Sequence, residues 1–362
     1  MTVPLRVLQV VRPAQGGMRS HVLTLLDGLD PATISCAVAA PPAFVRETLL
    51  HPQVAATIPL DIAARFSPVR DYLAARRLAS VIPQFADVVH AHGARAGWVC
   101  ALASRYRPFP FIFTAHNLVR SDLAARLGIP FIGASAACVV AVSPSVADSL
   151  VSCGLPRAKI HVIPNGIDPA DFGPASTEAR VAARKSLGIA ETAFVVASAA
   201  RLSREKGMDT LLSAAGQRLG MTFLIAGDGP LKAALAKQCP SNARLLGRLD
   251  DIRPLLAAAD LFALPSRREG QGIAALEAMA SGIPLVASRV GGLADMLTEG
   301  DTALLVPAGD ADALAAALSR LQSDSRLRQK LAENASRLVS EHYNAEQMLS
   351  ALTAVYLGAC SS

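Results

Sequence analysis

Arg201, Arg204 and Lys206 place three cations within six residues of Ala200-Arg201-Leu202-Ser203-Arg204-Glu205-Lys206-Gly207, directly after the apolar run Phe194 to Ala199. Arginine presents a planar fork of donors and lysine a compact point charge, so this group at a strand end suits a diphosphate. A solvated basic turn has the same composition. Further on, Arg268-Glu269-Gly270-Gln271-Gly272 leads into Ile273 to Ala280, a helix apolar enough to bury completely, with Glu277 inside it. An unpartnered buried carboxylate costs several kcal/mol, so Glu277 requires hydrogen-bonding partners. Ligand hydroxyls or an internal ion pair would both qualify. Eight residues of helix put the backbones of Glu269 and Glu277 up to about 12 Å apart. A glycoside hydrolase needs its carboxyl groups roughly 5 to 9.5 Å apart, so separate binding roles fit better than shared acid–base work.

At Val11-Arg12-Pro13-Ala14-Gln15-Gly16-Gly17, a Gly-Gly pair joins an apolar run to a helix-like stretch. Adjacent glycines let backbone approach a ligand, and the amides of a helix start can hold an anion. A plain tight turn looks the same. Three histidines fall near strand ends: His90 and His92 in Val89-His90-Ala91-His92-Gly93, and His116 in Thr114-Ala115-His116-Asn117. His90 and His92 share a strand face and could ligate a metal, but no third ligand stands near them in sequence, so no metal is expected. His116 is placed to face a ligand.

The elements that must carry these residues alternate. Strands are expected at Arg6 to Val11, Ser35 to Ala39, Val88 to His90, Phe111 to Thr114, Cys138 to Val142 and Ile160 to Ile163. A second series follows at Phe194 to Ala199, Thr222 to Ala226, Ala243 to Leu246, Leu261 to Leu264, Leu285 to Ser288 and Ala303 to Val306. Helical segments separate them, the pattern of parallel sheets wrapped by helices. Ile163-Pro164-Asn165-Gly166-Ile167-Asp168-Pro169 is a turn cluster between the series. It sets expected domains at residues 1–166 and 167–340, with 341–362 a last helix crossing back. The expected fold is α/β, two facing doubly wound Rossmann-like domains whose cleft lies at the strand C-terminal ends.

A chain of 362 residues, 52% hydrophobic and 18% charged, is long enough for two such cores and too apolar for disorder. The net charge of +6 is uneven. Residues 1–165 hold 15 Lys and Arg against 8 Asp and Glu, and the remainder 20 against 21. Anionic partners should therefore meet the first half. Arg65, Arg70, Arg76 and Arg77 surround a helical stretch from Val69 to Val81, which reads as a solvated face or as one that lies on anionic lipid. Six cysteines without a Cys-x-x-Cys pair suggest buried thiols in a reducing compartment. The N-terminal apolar stretch is too short for a signal peptide. The charge-free segment Leu127 to Ala147 is broken by Gly128, Pro130, Gly133 and Pro144, and parses as helix, strand and turn rather than a membrane span.

Taken together, these motifs resemble the retaining nucleotide-sugar glycosyltransferases of the GT-B fold, family four. The resemblance rests on Gly16-Gly17, Pro164-Asn165-Gly166-Ile167-Asp168, Arg201 to Gly207, Ala226-Gly227-Asp228-Gly229-Pro230-Leu231, Asp260 to Ser266, the Glu-x7-Glu element from Glu269 to Gly282, and Gly291-Gly292. It implies that Arg201 and Lys206, aided by amides near Gly16 and Gly17, neutralise the donor diphosphate without a metal. It further implies that Glu277 binds the ribose hydroxyls, that Glu269 and the amides of Gly270, Gln271, Gly272 and Ile273 hold the donor sugar, and that Arg248 and Leu249 offer backbone groups to the base. His116 would meet the reacting sugar through its carbonyl or side chain. Gln271 departs from the aromatic residue common there, which bears on the sugar pocket, and Asp295 stands where a Glu often follows the Gly-Gly pair.

The expected reaction moves a sugar from a nucleoside-diphosphate sugar, UDP or GDP, to an acceptor hydroxyl with retention, in glycolipid or polysaccharide assembly. The donor is a substrate and no cofactor is expected. A nucleotide-sugar 2-epimerase, which would release altered nucleotide sugar without an acceptor, and a non-catalytic nucleotide-sugar-binding subunit are the rival classes. The acceptor is expected to be a sugar, a sugar phosphate or a lipid-linked intermediate. Nucleic acid is not an expected partner. The expected location is the cytoplasm, with peripheral contact to an anionic inner membrane face as one reading.

Overall fold

The computed structural model describes residues 3–12, 16–48, 51–120 and 122–360. The chain forms two compact units, one built from Met1–Asn165 with Ala345–Ser362 and the other from Gly166–Asn344.

The first unit is a parallel sheet of β1 (Leu5–Val11), β2 (Ile34–Ala40), β3 (Val54–Pro59), β4 (Val88–His92), β5 (Phe111–Ala115), β6 (Cys138–Ala141) and β7 (Ile160–Val162), in spatial order β3-β2-β1-β4-β5-β6-β7. Helices cover both faces, so the strands are apolar runs rather than alternating ones. Leu8, Val10, Val89, Ala91, Phe111 and Phe113 build one side of the core. Val7, Val11, Val88 and Ile112 build the other, under the helices Gly17–Gly28 and Ala345–Cys360. The latter helix buries Met348, Leu352, Tyr356 and Ala359 at helical spacing, which fastens the chain's end to this sheet.

The strand β3 is absent from the sequence expectation. It is an edge strand paired only to β2, and Val54-Ala55-Ala56-Thr57-Ile58 carries a weak β signal. The basic helix extends over Pro68–Phe85, beyond the expected Val69 to Val81. Leu127 to Ala147 divides among the helix Leu123–Ser135, β6 and the helix Pro144–Val151, and among the described residues no helix is long and apolar enough to cross a membrane.

The second unit is a parallel sheet of β8 (Val195–Ala199), β9 (Thr222–Ala226), β10 (Ala243–Gly247), β11 (Leu261–Leu264), β12 (Leu285–Ser288) and β13 (Leu304–Val306), ordered β10-β9-β8-β11-β12-β13. In each unit the chain winds outward one way and then returns to wind the other. The reversals fall between β1 and β4 and between β8 and β11. In doubly wound sheets ligands usually bind at the loops that leave the strand C-terminal ends beside such a reversal.

Candidate active site

At the second unit's reversal, the loop after β8 carries Arg201 to Gly207 and the loop after β11 carries Pro265 to Gly272. Their backbones are stitched together, since the amides of Arg267 and Arg268 donate to the Glu205 carbonyl at 2.7 and 3.1 Å. Gly207, at φ +64°, makes this possible. A Cβ there would lie 2.0 Å from the Pro265 carbonyl oxygen. Buried Leu202 plugs the base of the first loop, and its amide donates to the Asp228 carbonyl at 2.9 Å.

This clasp sets Lys206 against Glu269. The ammonium donates to the two carboxylate oxygens at 2.7 and 2.6 Å, and the Ser266 hydroxyl adds a third bond at 3.1 Å. Glu269 is 7% exposed and Lys206 23%. Two ammonium protons are therefore engaged, and the third remains available for an anion. Arg201 is exposed, and its guanidinium has no hydrogen bond or ion pair among the described residues.

Gly270, Gln271 and Gly272 follow, and the helix Ile273–Ala280 starts at Gly272 with φ +92°. The amides of Ala275 and Leu276 already donate to the Gly272 carbonyl, leaving the amides of Ile273 and Ala274 without an intrahelical acceptor. The Gly270 stretch is braced from behind by Gly292, where a Cβ would lie 1.9 Å from the Gly270 oxygen; the Gly292 amide donates to the Glu269 carbonyl at 3.1 Å.

Glu277 lies on the next turn and is 9% exposed. Its carboxylate has no hydrogen-bond or ion-pair partner among the described residues, so the internal ion pair is not what this helix contains. Burial, with a contribution from the charge of Asp251, pushes its pKa up to about 7. Arg248 is exposed and pairs with Asp250 at 3.1 Å, while Leu249 packs into the core.

The first unit presents different chemistry at its own reversal. Gly16 precedes the helix Gly17–Gly28 at φ +62°; Pro13 to Gln15 of that junction lie outside the described residues. The helix buries Met18, His21, Val22, Leu25 and Leu26 on one face, which brings His21 over the sheet. On that sheet face the apolar pattern is interrupted by Gln9 on β1, His90 and His92 on β4 and Thr114 on β5, all 0–1% exposed. These residues satisfy one another. His92 Nε2 meets Gln9 Oε1 at 2.8 Å and His92 Nδ1 meets His116 Nε2 at 3.2 Å. The Gln9 amide donates to the Tyr356 hydroxyl at 3.4 Å, while His90 meets the Tyr356 hydroxyl at 2.7 Å and Thr114 Oγ1 at 2.6 Å.

Burial foremost, then neighbouring histidine charge, holds His90, His92 and His116 well below the usual imidazole pKa, with Arg12 adding to the effect at His116. Neutral rings donate through one nitrogen and accept through the other. With Gln9 Oε1 accepting, the protons run one way: His116 Nε2–H to His92, His92 Nε2–H to Gln9, Gln9 to Tyr356, Tyr356 to His90, and His90 to Thr114. That polarity leaves the His116 Nδ1 lone pair unengaged within the relay.

Sequence reasoning passed over Gln9, His21 and Tyr356. Gln9 was readable as a lone amide in Leu5-Arg6-Val7-Leu8-Gln9-Val10-Val11, where burial demands a partner. Tyr356 had no such signal, because its partners lie 266 and 347 residues away.

Comparison with known proteins identifies the family. Residues 193–324 match the model "Glycosyl transferases group 1" and residues 15–171 match "Glycosyltransferase Family 4". A D-inositol 3-phosphate glycosyltransferase of Actinosynnema mirum is 34% identical over 287 residues, spanning 70% of this chain and 68% of the relative. The chain belongs to the glycosyltransferases. A GDP-mannose-dependent monoacylated alpha-(1-6)-phosphatidylinositol monomannoside mannosyltransferase of Corynebacterium glutamicum is 38% identical to this glycosyltransferase over 178 residues, 45% of this chain and 46% of that one. The crystal structure of Anabaena Alr3699/HepE in complex with UDP and glucose shares its fold, with TM-score 0.87 at 22% identity, covering 97% of this chain and 99% of that one. GT-B is therefore the architecture of its two sheets.

Proposed function

We propose that the enzyme transfers a sugar from a nucleoside-diphosphate sugar to an acceptor hydroxyl with retention of configuration. The observation that carries this reading is Glu277: a buried carboxylate without a protein partner, one helix turn beyond the orphan amides of Ile273 and Ala274, at the reversal that also holds Lys206 and Arg201. Vicinal ribose hydroxyls would give Glu277 the donors it lacks. The third ammonium proton of Lys206, the guanidinium of Arg201 and the helix-start amides would meet the diphosphate. Glu269 then acts by holding Lys206 and offering its remaining lone pairs to the donor sugar, rather than as an independent ligand. Arg248 and Leu249 are read as the backbone station for the base.

In the reaction the bond from the anomeric carbon to the diphosphate oxygen breaks heterolytically, and the electron pair leaves with the diphosphate. The acceptor oxygen bonds to the anomeric carbon on that same face, and its proton goes to the departing phosphate oxygen. The catalytic requirement is stabilisation of the developing diphosphate charge, which preorganised cations and amides supply. His116, with its Nδ1 lone pair, is read as the group that meets a hydroxyl of the reacting sugar.

For the acceptor, the relatives named above act in inositol-containing glycolipid and inositol phosphate chemistry. A lipid-linked acceptor gains support from the helix Pro68–Phe85, which exposes Val69 (70%), Tyr72 and Leu73 at one-face spacing beside Phe66 and Arg76. Apolar side chains flanked by arginine suit an anionic membrane surface.

Lys206→Ala tests the reading. Turnover with UDP- and GDP-sugars should fall by about 100- to 1,000-fold, with the product anomer of the wild-type enzyme, read by NMR, matching the donor. Unchanged turnover in the variant would refute the assignment, and an inverted product would refute retention. Conversion of the donor in the absence of acceptor would identify an epimerase instead.

A further inference from the structure

We infer that His21, His92 and His116 form a transition-metal site at the β1/β4 reversal of the first unit. One ring nitrogen from each lies within 4.8 Å of the other two. The measured edge of that triangle, His92 Nδ1 to His116 Nε2 at 3.2 Å, is close to the roughly 3.4 Å separating two nitrogens bound at about 2.1 Å to one tetrahedral ion. The other two edges are no longer than 4.8 Å.

Two further observations favour an ion over a mere packing cluster. His21 is 4% exposed, and neither of its nitrogens has a partner at full hydrogen-bond geometry among the described residues; only a looser hydrogen bond with the Asn165 side chain offsets part of the effect of burial on its charge. A buried polar ring in that state is costly, and a ligand removes the cost. His92, in turn, has its Nε2 fixed by Gln9 Oε1 at 2.8 Å, which leaves Nδ1 pointing into the triangle. An outer hydrogen bond of this kind orients most metal-ligating histidines and settles which nitrogen is the ligand.

The donor set is three imidazoles with no carboxylate, which selects Zn2+, Co2+, Ni2+ or Cu2+ over Mg2+ or Mn2+. Binding needs no redox partner. The ion replaces the weak His116–His92 hydrogen bond, and the Nε2 proton of His116 moves to its Nδ1 so that Nε2 can coordinate. Occupancy therefore removes the Nδ1 lone pair of His116, and on the functional reading above it inhibits transfer. This consequence rests on that reading, whereas the site itself does not.

The test uses the full chain, stripped with a chelator and titrated with CoCl2 in the absence of any substrate. One equivalent should produce the visible band of four-coordinate Co2+. Gln9→Leu should weaken binding about 10- to 100-fold, and His21→Ala should abolish it. His21→Ala removes a ring that makes no hydrogen bond at full geometry, and a thermal melt checks that the variant is folded. His51→Ala and Cys360→Ser, at residues outside the triangle, should leave the band unchanged. Absence of a stoichiometric band, its survival in His21→Ala, or its loss in His51→Ala overturns the site. In a parallel arm, stoichiometric Zn2+ should abolish transfer by the wild type but not by His21→Ala. Cobalt binding without zinc inhibition supports the site and overturns the role given to His116.

Discussion

The two reversals occupy the same topological position and are equipped in opposite ways. At β8/β11 the side chains are charged and only partly satisfied by the protein: Lys206 retains a free proton beyond Glu269, Arg201 stands open, and Glu277 is buried alone. At β1/β4 the charges are suppressed. Three sheet-borne histidines are kept neutral and linked through Gln9 and Tyr356 into one directed relay. The first arrangement suits an anion whose charge grows during reaction, because fixed cations need no reorganisation when it develops. The second suits neutral hydroxyls or a metal, which require lone pairs held at fixed angles. A doubly wound sheet therefore fixes where a ligand binds, while the residues on two loops decide what kind of ligand it is.

The largest effect expected from this contrast is at Glu277. Its folded pKa of about 7 lies above the ordinary 4.5. Below about pH 4.5 the carboxyl is protonated in both folded and unfolded chains and carries no penalty. As pH rises toward 7 the unfolded chain ionises first, so the folded state holds the extra proton and stability falls. Above 7 the whole penalty, on the order of 3 kcal/mol, is present. Glu277→Gln should therefore stabilise the unliganded enzyme at about pH 8 by up to that amount, with little change at about pH 4.5, in chemical denaturation. The same variant should bind nucleoside diphosphate more weakly, as measured by calorimetry. A variant less stable at pH 8, or one that binds normally, would dissolve the distinction between a strained ligand group and an ordinary buried acid.

A smaller effect is expected at the other reversal. Tyr356→Phe keeps the ring and removes a hydroxyl that accepts from Gln9 and donates to His90. Both partners are fully buried, so the expected cost is about 1–3 kcal/mol in stability. Activity should fall as well, because Gln9 loses the bond that orients it toward His92 and through it His116. Full activity in a destabilised variant would make the relay a packing device only. Nitrogen NMR of labelled histidine reads the result directly, with His116 expected as the Nε2–H tautomer in the wild type.

How legible these sites were follows the distance over which their parts are assembled. Twelve of the strands, the Arg201 to Gly207 loop and the helix around Glu277 could be read because each is a contiguous run whose apolar period, glycines and charges declare its place. The ion pair between Lys206 and Glu269 could not, because it depends on backbone bonds between loops 63 residues apart. The histidine cluster was half legible: His90 and His92 advertise a shared strand face, but His21 comes from a helix placed over the sheet by its own apolar stripe, and His116 from the neighbouring strand's end. The apparent want of a third ligand was a statement about sequence proximity, not about space. Strand β3 was missed for a local reason, an alanine-rich edge that needs only one partner.

The finest distinction lies within the charged reversal, between Arg201 and Lys206. Arg201 is exposed, and its attraction to a diphosphate acts through water and is screened within about 10 Å at 0.1 M salt. Lys206 is mostly covered and held by Glu269, so less solvent intervenes between its third proton and a phosphate. Arg201→Ala should accordingly raise the donor dissociation constant about three- to tenfold at low ionic strength, in line with a partly screened charge–charge contact. That difference should shrink toward zero near 1 M salt. The Lys206→Ala defect should persist across the same range. Equal salt sensitivity in the two variants would mean that both cations act from solvent, and the ion pair with Glu269 would then have no part in preparing Lys206 for the leaving group.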